Sequence, residues 1–202
     1  TGICELYNGT SWTEVNNLTT SRTGVSAGGA GSSTAGLLYG GGTPGVSAVN
    51  ESWDGTSWTE TTDLNTARRG NNGLFGTQPA AIITGGYLPG GPGTAATEQW
   101  NGSSWTEVND LNTARWALTT GGTTTAGIAA AGEVSPKGQT ETWNGSSWTE
   151  TTDLNTGRGE IGGSGGSSAQ TALLVFGGGS SQTKTENFNG STWTELSDMA
   201  TY

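Results

Sequence analysis

The chain is expected to be all-β, a propeller of four-stranded antiparallel blades. Three observations predict it: a Trp-Thr-Glu triplet that returns at a nearly constant interval, a hairpin signal of fixed length ahead of each copy, and room for four short strands in each interval.

The triplets begin at Trp12, Trp58, Trp105, Trp148 and Trp193, which are 46, 47, 43 and 45 residues apart. Seven positions before each Trp stands Glu5, Glu51, Glu98, Glu141 or Glu186, and five before it an aromatic residue, Tyr7, Trp53, Trp100, Trp143 or Phe188. Leu18, Leu64, Leu111, Leu154 or Met199 follows six later, and Arg22, Arg68, Arg115 or Arg158 ten later. A repeat of this length is one supersecondary unit that buries its apolar face only against the next copy.

Within a unit, Glu-Gln-Trp, Asn-Gly-Ser-Ser and Trp-Thr-Glu-Val at 98–108 read as two strands joined by a tight turn. Asn-Gly supplies the positive φ that a right-twisted hairpin demands. After the Arg, a small-residue strand (Ala117 to Thr120), a Gly-rich turn and an apolar strand (Ala80 to Thr84, Thr171 to Phe176) complete the blade. Residues 1–21 are then a half blade, and blades occupy 22–67, 68–114, 115–157 and 158–202. The ends are complementary in phase, so the chain reads as a fragment; about 25 further residues would close a five-bladed ring, and a ring of six or more blades is equally consistent with the phase. The aromatic pairs are expected between blades, with glycine and alanine crowded near the axis.

Arg, an apolar strand, Gly-Gly (Gly40-Gly41, Gly85-Gly86, Gly177-Gly178), an aromatic strand, then Trp and a Leu six on: this order resembles the kelch repeat across the whole chain. The third copy departs from it, with Gly132-Glu133 where the pair is due. The wording Trp-Asn-Gly-Ser-Ser-Trp-Thr-Glu is similar to repeats in virion proteins of marine and cyanobacterial tailed phages. That resemblance implies a virion location and a tail, fibre or decoration role. The alternative is a secreted or cell-surface bacterial module that binds carbohydrate or protein.

The composition narrows the chemistry. Nine tryptophans argue against disorder, although hydrophobic residues make up only 30% of the 202 and glycines number 37. A net charge of −10 repels nucleic acid and anionic membrane surfaces, and no apolar run is long enough to insert in a bilayer. With no histidine and Cys4 as the single cysteine, no metal, no cofactor and no catalytic residue is expected. Ser52-Trp53-Asp54-Gly55-Thr56-Ser57-Trp58 resembles the Asp box of sialidases but lacks the residue between Asp and Gly, which leaves a sialidase-like glycosidase a distant third reading.

The repeat Arg and Glu residues are expected to pair with each other, since a partly buried guanidinium needs a carboxylate. Residues shared by every copy build the scaffold, so candidate binding residues are those that one copy alone possesses. These are Arg69 and Trp116, each directly after a repeat Arg, Tyr87 directly after Gly-Gly, and Lys137 and Lys184 in the loops between second and third strands. Those loops (42–49, 87–96, 133–139 and 179–184) and the connections entering each blade are expected on one face. An exposed aromatic ring there would stack on a sugar or anchor a protein.

Overall fold

A computed structural model describes residues 2–25, 31–42, 45–70, 73–91, 93–166, 169–179 and 183–200. Parts of three expected binding loops, residues 43–44, 92 and 180–182, lie outside the described residues.

The fold is all-β, with no helix among the described residues. A two-stranded sheet, β1 (Cys4–Tyr7) and β2 (Trp12–Val15), comes first. Four four-stranded antiparallel sheets follow in chain order, each a simple meander. The first holds β3 (Gly31–Ser32), β4 (Ala35–Tyr39), β5 (Asn50–Trp53) and β6 (Trp58–Glu60). The second holds β7 (Leu74–Thr77), β8 (Ala80–Thr84), β9 (Thr97–Trp100) and β10 (Trp105–Val108). The third holds β11 (Thr119–Thr123), β12 (Ala126–Ala130), β13 (Thr140–Trp143) and β14 (Trp148–Glu150). The fourth holds β15 (Gly162–Gly163), β16 (Leu173–Phe176), β17 (Thr185–Phe188) and β18 (Trp193–Glu195). These are propeller-like blades, and strand β11 lies beside both β7 and β15, so first strands line the inside.

The third-to-fourth-strand hairpin is the most regular element. In it Trp100 pairs with Trp105, Trp143 with Trp148 and Phe188 with Trp193. The turn differs from its expected chemistry. Only the glycine has positive φ (Gly102 at 96°, Gly145 at 97°), while the Asn works through its side chain. Asn101 Oδ1 accepts from the N–H groups of Ser103 and Ser104, both at 2.9 Å, an Asx turn that satisfies two otherwise free donors.

The hairpin aromatics fill the space between blades. Leu37, Tyr39 and Leu64 of the first blade meet Leu74, Ile83, Trp100 and Trp105 of the second. Ile82 and Leu111 meet Leu118, Trp143 and Trp148 at the next interface, and Ile128, Ala130 and Leu154 meet Ile161, Leu173, Phe188 and Trp193 at the third. Each buried Trp removes roughly 150–250 Å² from water, worth about 4–6 kcal/mol before ordering entropy. The first copy differs from this expectation: Tyr7 is 49% and Trp12 65% exposed, because no described strands stand on the face that their counterparts pack against. At the other end Phe176 is 37% exposed, whereas Tyr39, Thr84 and Ala130 at the same register are fully buried.

Two other expectations need correction. Ala117 is not in the first strand: it takes φ 53° ahead of β11, as Gly24, Gly70 and Glu160 do at the equivalent place with 58°, 61° and 55°. These four residues form a belt, since Gly70 N–H donates to Gly24 O, Ala117 N–H to Gly70 O and Glu160 N–H to Ala117 O. The hub is also less purely small than expected, since Leu74 and Phe75 sit on a first strand. Glycine is required where inner backbones touch: a Cβ on Gly165 would stand 2.7 Å from Thr120 O.

Candidate functional site

The repeat arginines are spent on structure. Arg22 pairs with Glu51 at 2.8 Å, Arg68 with Glu98 at 2.6 Å, Arg115 with Glu141 at 2.9 Å and Arg158 with Glu186 at 2.5 Å, all with side chains at least 98% buried. Burial pulls the Arg68 and Arg115 guanidiniums below the ordinary arginine value, and Glu98 and Glu141 oppose that pull. Both remain charged, as arginine does in proteins. The same glutamates fasten the segment that enters the blade: Glu98 Oε2 accepts from Asn65 N–H at 2.7 Å and Asn65 Nδ2 at 2.9 Å, and Glu141 and Glu186 do likewise with Asn112 and Asn155.

This fastening fixes the residue after each Arg. With the guanidinium held inward, the next residue bridges to the residue after the Gly-Gly position of the same blade: Thr23 with Gly42, and Arg69 with Tyr87. The third blade has the same arrangement one residue earlier than expected. The register of β12 puts Ala131-Gly132, not Gly132-Glu133, at the Gly-Gly position, with Ala131 at φ 63° in the place of Gly85 at 68°. Glu133, not Gly132, is therefore the counterpart of Tyr87, and its N–H donates to Trp116 O at 2.8 Å.

Three of the residues singled out in the sequence come together here. Arg69 lies with its guanidinium carbon 5.0 Å from the Tyr87 ring centre, a cation–π contact. Tyr87 in turn meets Trp116 of the next blade edge to face, 5.7 Å between centroids at 75°. Tyr87 and Trp116 are half-buried and Arg69 is exposed. Gly93 brings its main chain close to the indole, since a Cβ there would stand 3.3 Å from Trp116 Cδ1.

Lys137 stands next along the same rim, its Nζ 2.6 Å from Glu133 Oε2. Glu133 is the residue that sequence reasoning missed. Aligning Ile128-Ala129-Ala130 with Ile82-Ile83-Thr84 would have found it, because that register makes it the successor of the glycine pair. Lys184 does not join the group; its ammonium is taken up by Glu195 on the outer strand β18, a contact that raises its pKa.

Of the seven Lys and Arg side chains, six therefore sit on a carboxylate, and Arg69 has none among the described residues. The arrangement offers two ring surfaces and one guanidinium edge. Among the described residues no group of His, Cys, Asp and Glu converges as a metal site would. A cavity of about 140 Å³ lies at the opposite end of the inner strands, lined by Phe75, Thr77, Thr123 and several glycines, and it contains no charged group. The aromatic rim, not this cavity, carries the groups that could select a ligand. The chain matches no family model and is similar to none of the curated proteins.

Proposed function

We propose that this chain is a non-catalytic, kelch-like propeller module whose loop-bearing face recognises a glycan or protein. The supporting observation is that Arg69, Tyr87 and Trp116, three of the residues that depart from the repeat, meet in sequence on one rim spanning two blades, with Tyr87 touching both of the others. In a molecule otherwise built from copies of one motif, these side chains stand where the first blade has only Thr23 and Gly42. Half-buried rings beside a polar loop are the usual means of stacking on a sugar or anchoring a partner. The wording of the repeat favours a phage virion protein, in a tail, fibre or decoration role, with a host surface as the target. A secreted or cell-surface bacterial module would use the same rim. A sialidase-like activity would need its arginines free in one site, and the four repeat arginines are buried on glutamates.

The test is Trp116→Ala measured against a glycan array and against host-cell envelope. Binding by the unaltered protein that falls at least about tenfold in the variant, with an unchanged far-ultraviolet spectrum, is the expected result. Equal binding by the two proteins would remove the rim from the function.

A further inference from the structure

We infer that the ligand of the aromatic rim is a sugar bearing an anionic group, a carboxylate or a sulfate, and that Arg69 is the residue that reads that group. The inference rests on the proposed recognition role of the rim and adds to it the chemical class of the ligand.

The starting point is the charge census. Acidic side chains number 17 against seven basic ones, so carboxylates outnumber the cations that could pair with them more than two to one. Every other cation has taken one. Arg69 has instead been laid over Tyr87, a neutral ring, and the main-chain bridge between these two residues (Tyr87 N–H to Arg69 O at 2.8 Å, Arg69 N–H to Tyr87 O at 3.1 Å) fixes the place from which its side chain starts. Stacking on a ring face leaves the in-plane N–H donors of a guanidinium free, and those donors match the two oxygens of a carboxylate or sulfate. A guanidinium restrained in this way has less rotamer entropy to lose when an anion binds than a freely moving lysine would.

Scale argues for a sugar over a protein surface. Trp116 and Tyr87 meet edge to face, so together they offer a bent apolar surface about the size of one or two pyranose rings. Among the described residues the exposed large hydrophobic side chains are elsewhere, namely Ile3, Tyr7, Trp12, Phe176, Leu196 and Met199, and beside Tyr87 the half-buried Leu88 and exposed Pro89 add a smaller apolar area than a protein interface buries. The overall charge of −10 adds a selectivity of its own: a densely charged polyanion is repelled, while a saccharide with isolated acidic groups is not.

The test uses the full chain with probes built on one galactose trisaccharide: a form with a single terminal galacturonate, its neutral methyl ester, and a form with a single 6-sulfate in place of the carboxylate. Arg69→Met and Arg69→Lys are compared with the unaltered protein and with Trp116→Ala. The expected result is binding of an acidic probe that weakens with added salt, falls at least about tenfold in Arg69→Met, recovers incompletely in Arg69→Lys, and is absent for the neutral ester. Preference for the carboxylated or for the sulfated probe identifies which anion is read. Binding of the neutral ester as tightly as the acids, or Arg69→Met binding unchanged, overturns the inference while leaving the rim itself in play if Trp116→Ala still loses binding. Failure of every acidic probe to bind overturns it as well.

Discussion

At the scale of single residues, the molecule depends on four buried ion pairs that also serve as clamps. Glu141 holds Arg115 and both donors of Asn112, so removing the arginine strands a carboxylate in the interior. Arg115→Met is expected to cost about 3–5 kcal/mol in urea unfolding, and Arg115→Met with Glu141→Leu to recover only part of that, because the lone charge is removed but Asn112 loses the acceptor of its N–H and Nδ2. The pH dependence follows from Glu186. Burial works to raise its pKa, but hydrogen bonds from Arg158 and Asn155 prevail and hold it below the ordinary glutamate value. Its folded pKa therefore lies below its unfolded one, so its contribution is fully present above about pH 4.3, the unfolded glutamate value, and disappears as pH falls through the lower folded value. Melting temperature followed from pH 6 down to about pH 3 should fall less steeply in Glu186→Gln than in the unaltered protein, from a lower starting point.

At the scale of elements, the indoles of the hairpins act as the adhesive between blades. Trp148 packs with Phe75 edge to face at 6.2 Å, and its Nε1 donates to Thr97 Oγ1 of the preceding blade at 3.2 Å, a bond repeated from Trp193 to Thr140. Trp148→Ala is expected to lose about 3–5 kcal/mol, whereas Trp12→Ala, at a ring 65% exposed, should change stability by less than about 1 kcal/mol in the same denaturant titration. The hairpins and their spacing were legible because Trp, Asn-Gly and Glu recur without insertion. The Gly-Gly register of the third blade was not, since Ala131 adopts the positive φ that the pattern reserves for glycine, and a pattern of residue types cannot show a strained backbone. Residue type alone likewise does not separate the two uses of Asn in the turns, because side-chain capping and positive φ favour the same residue.

At the scale of the whole molecule, repetition explains both the acidity and the plainness of most of the surface. One motif multiplied gives its net charge, and beyond the buried pairs most of its acids stay outside, as Glu60, Glu107 and Glu150 do on the fourth strands. Two sets of contacts tie successive blades: the inner belt through Gly24, Gly70, Ala117 and Glu160, and an outer set in which Thr62 Oγ1 donates to Ser103 O at 2.8 Å and Thr152 Oγ1 to Ser191 O at 2.9 Å. Against this regular background the rim of Arg69, Tyr87 and Trp116 stands out. Its members could be picked from the sequence as departures from the repeat, but their contact across two blades could not, because it depends on how neighbouring sheets are set side by side.

The central claim is that sheets stack through indole rings, with selected aromatics left outside. Hydroxyl-radical footprinting read by mass spectrometry tests it tryptophan by tryptophan. Trp12 should oxidise fastest, Trp116 at an intermediate rate, and Trp100, Trp105, Trp143, Trp148 and Trp193 slowest, in keeping with their burial. Uniform oxidation of all nine, or a Trp143 as reactive as Trp12, would contradict the account.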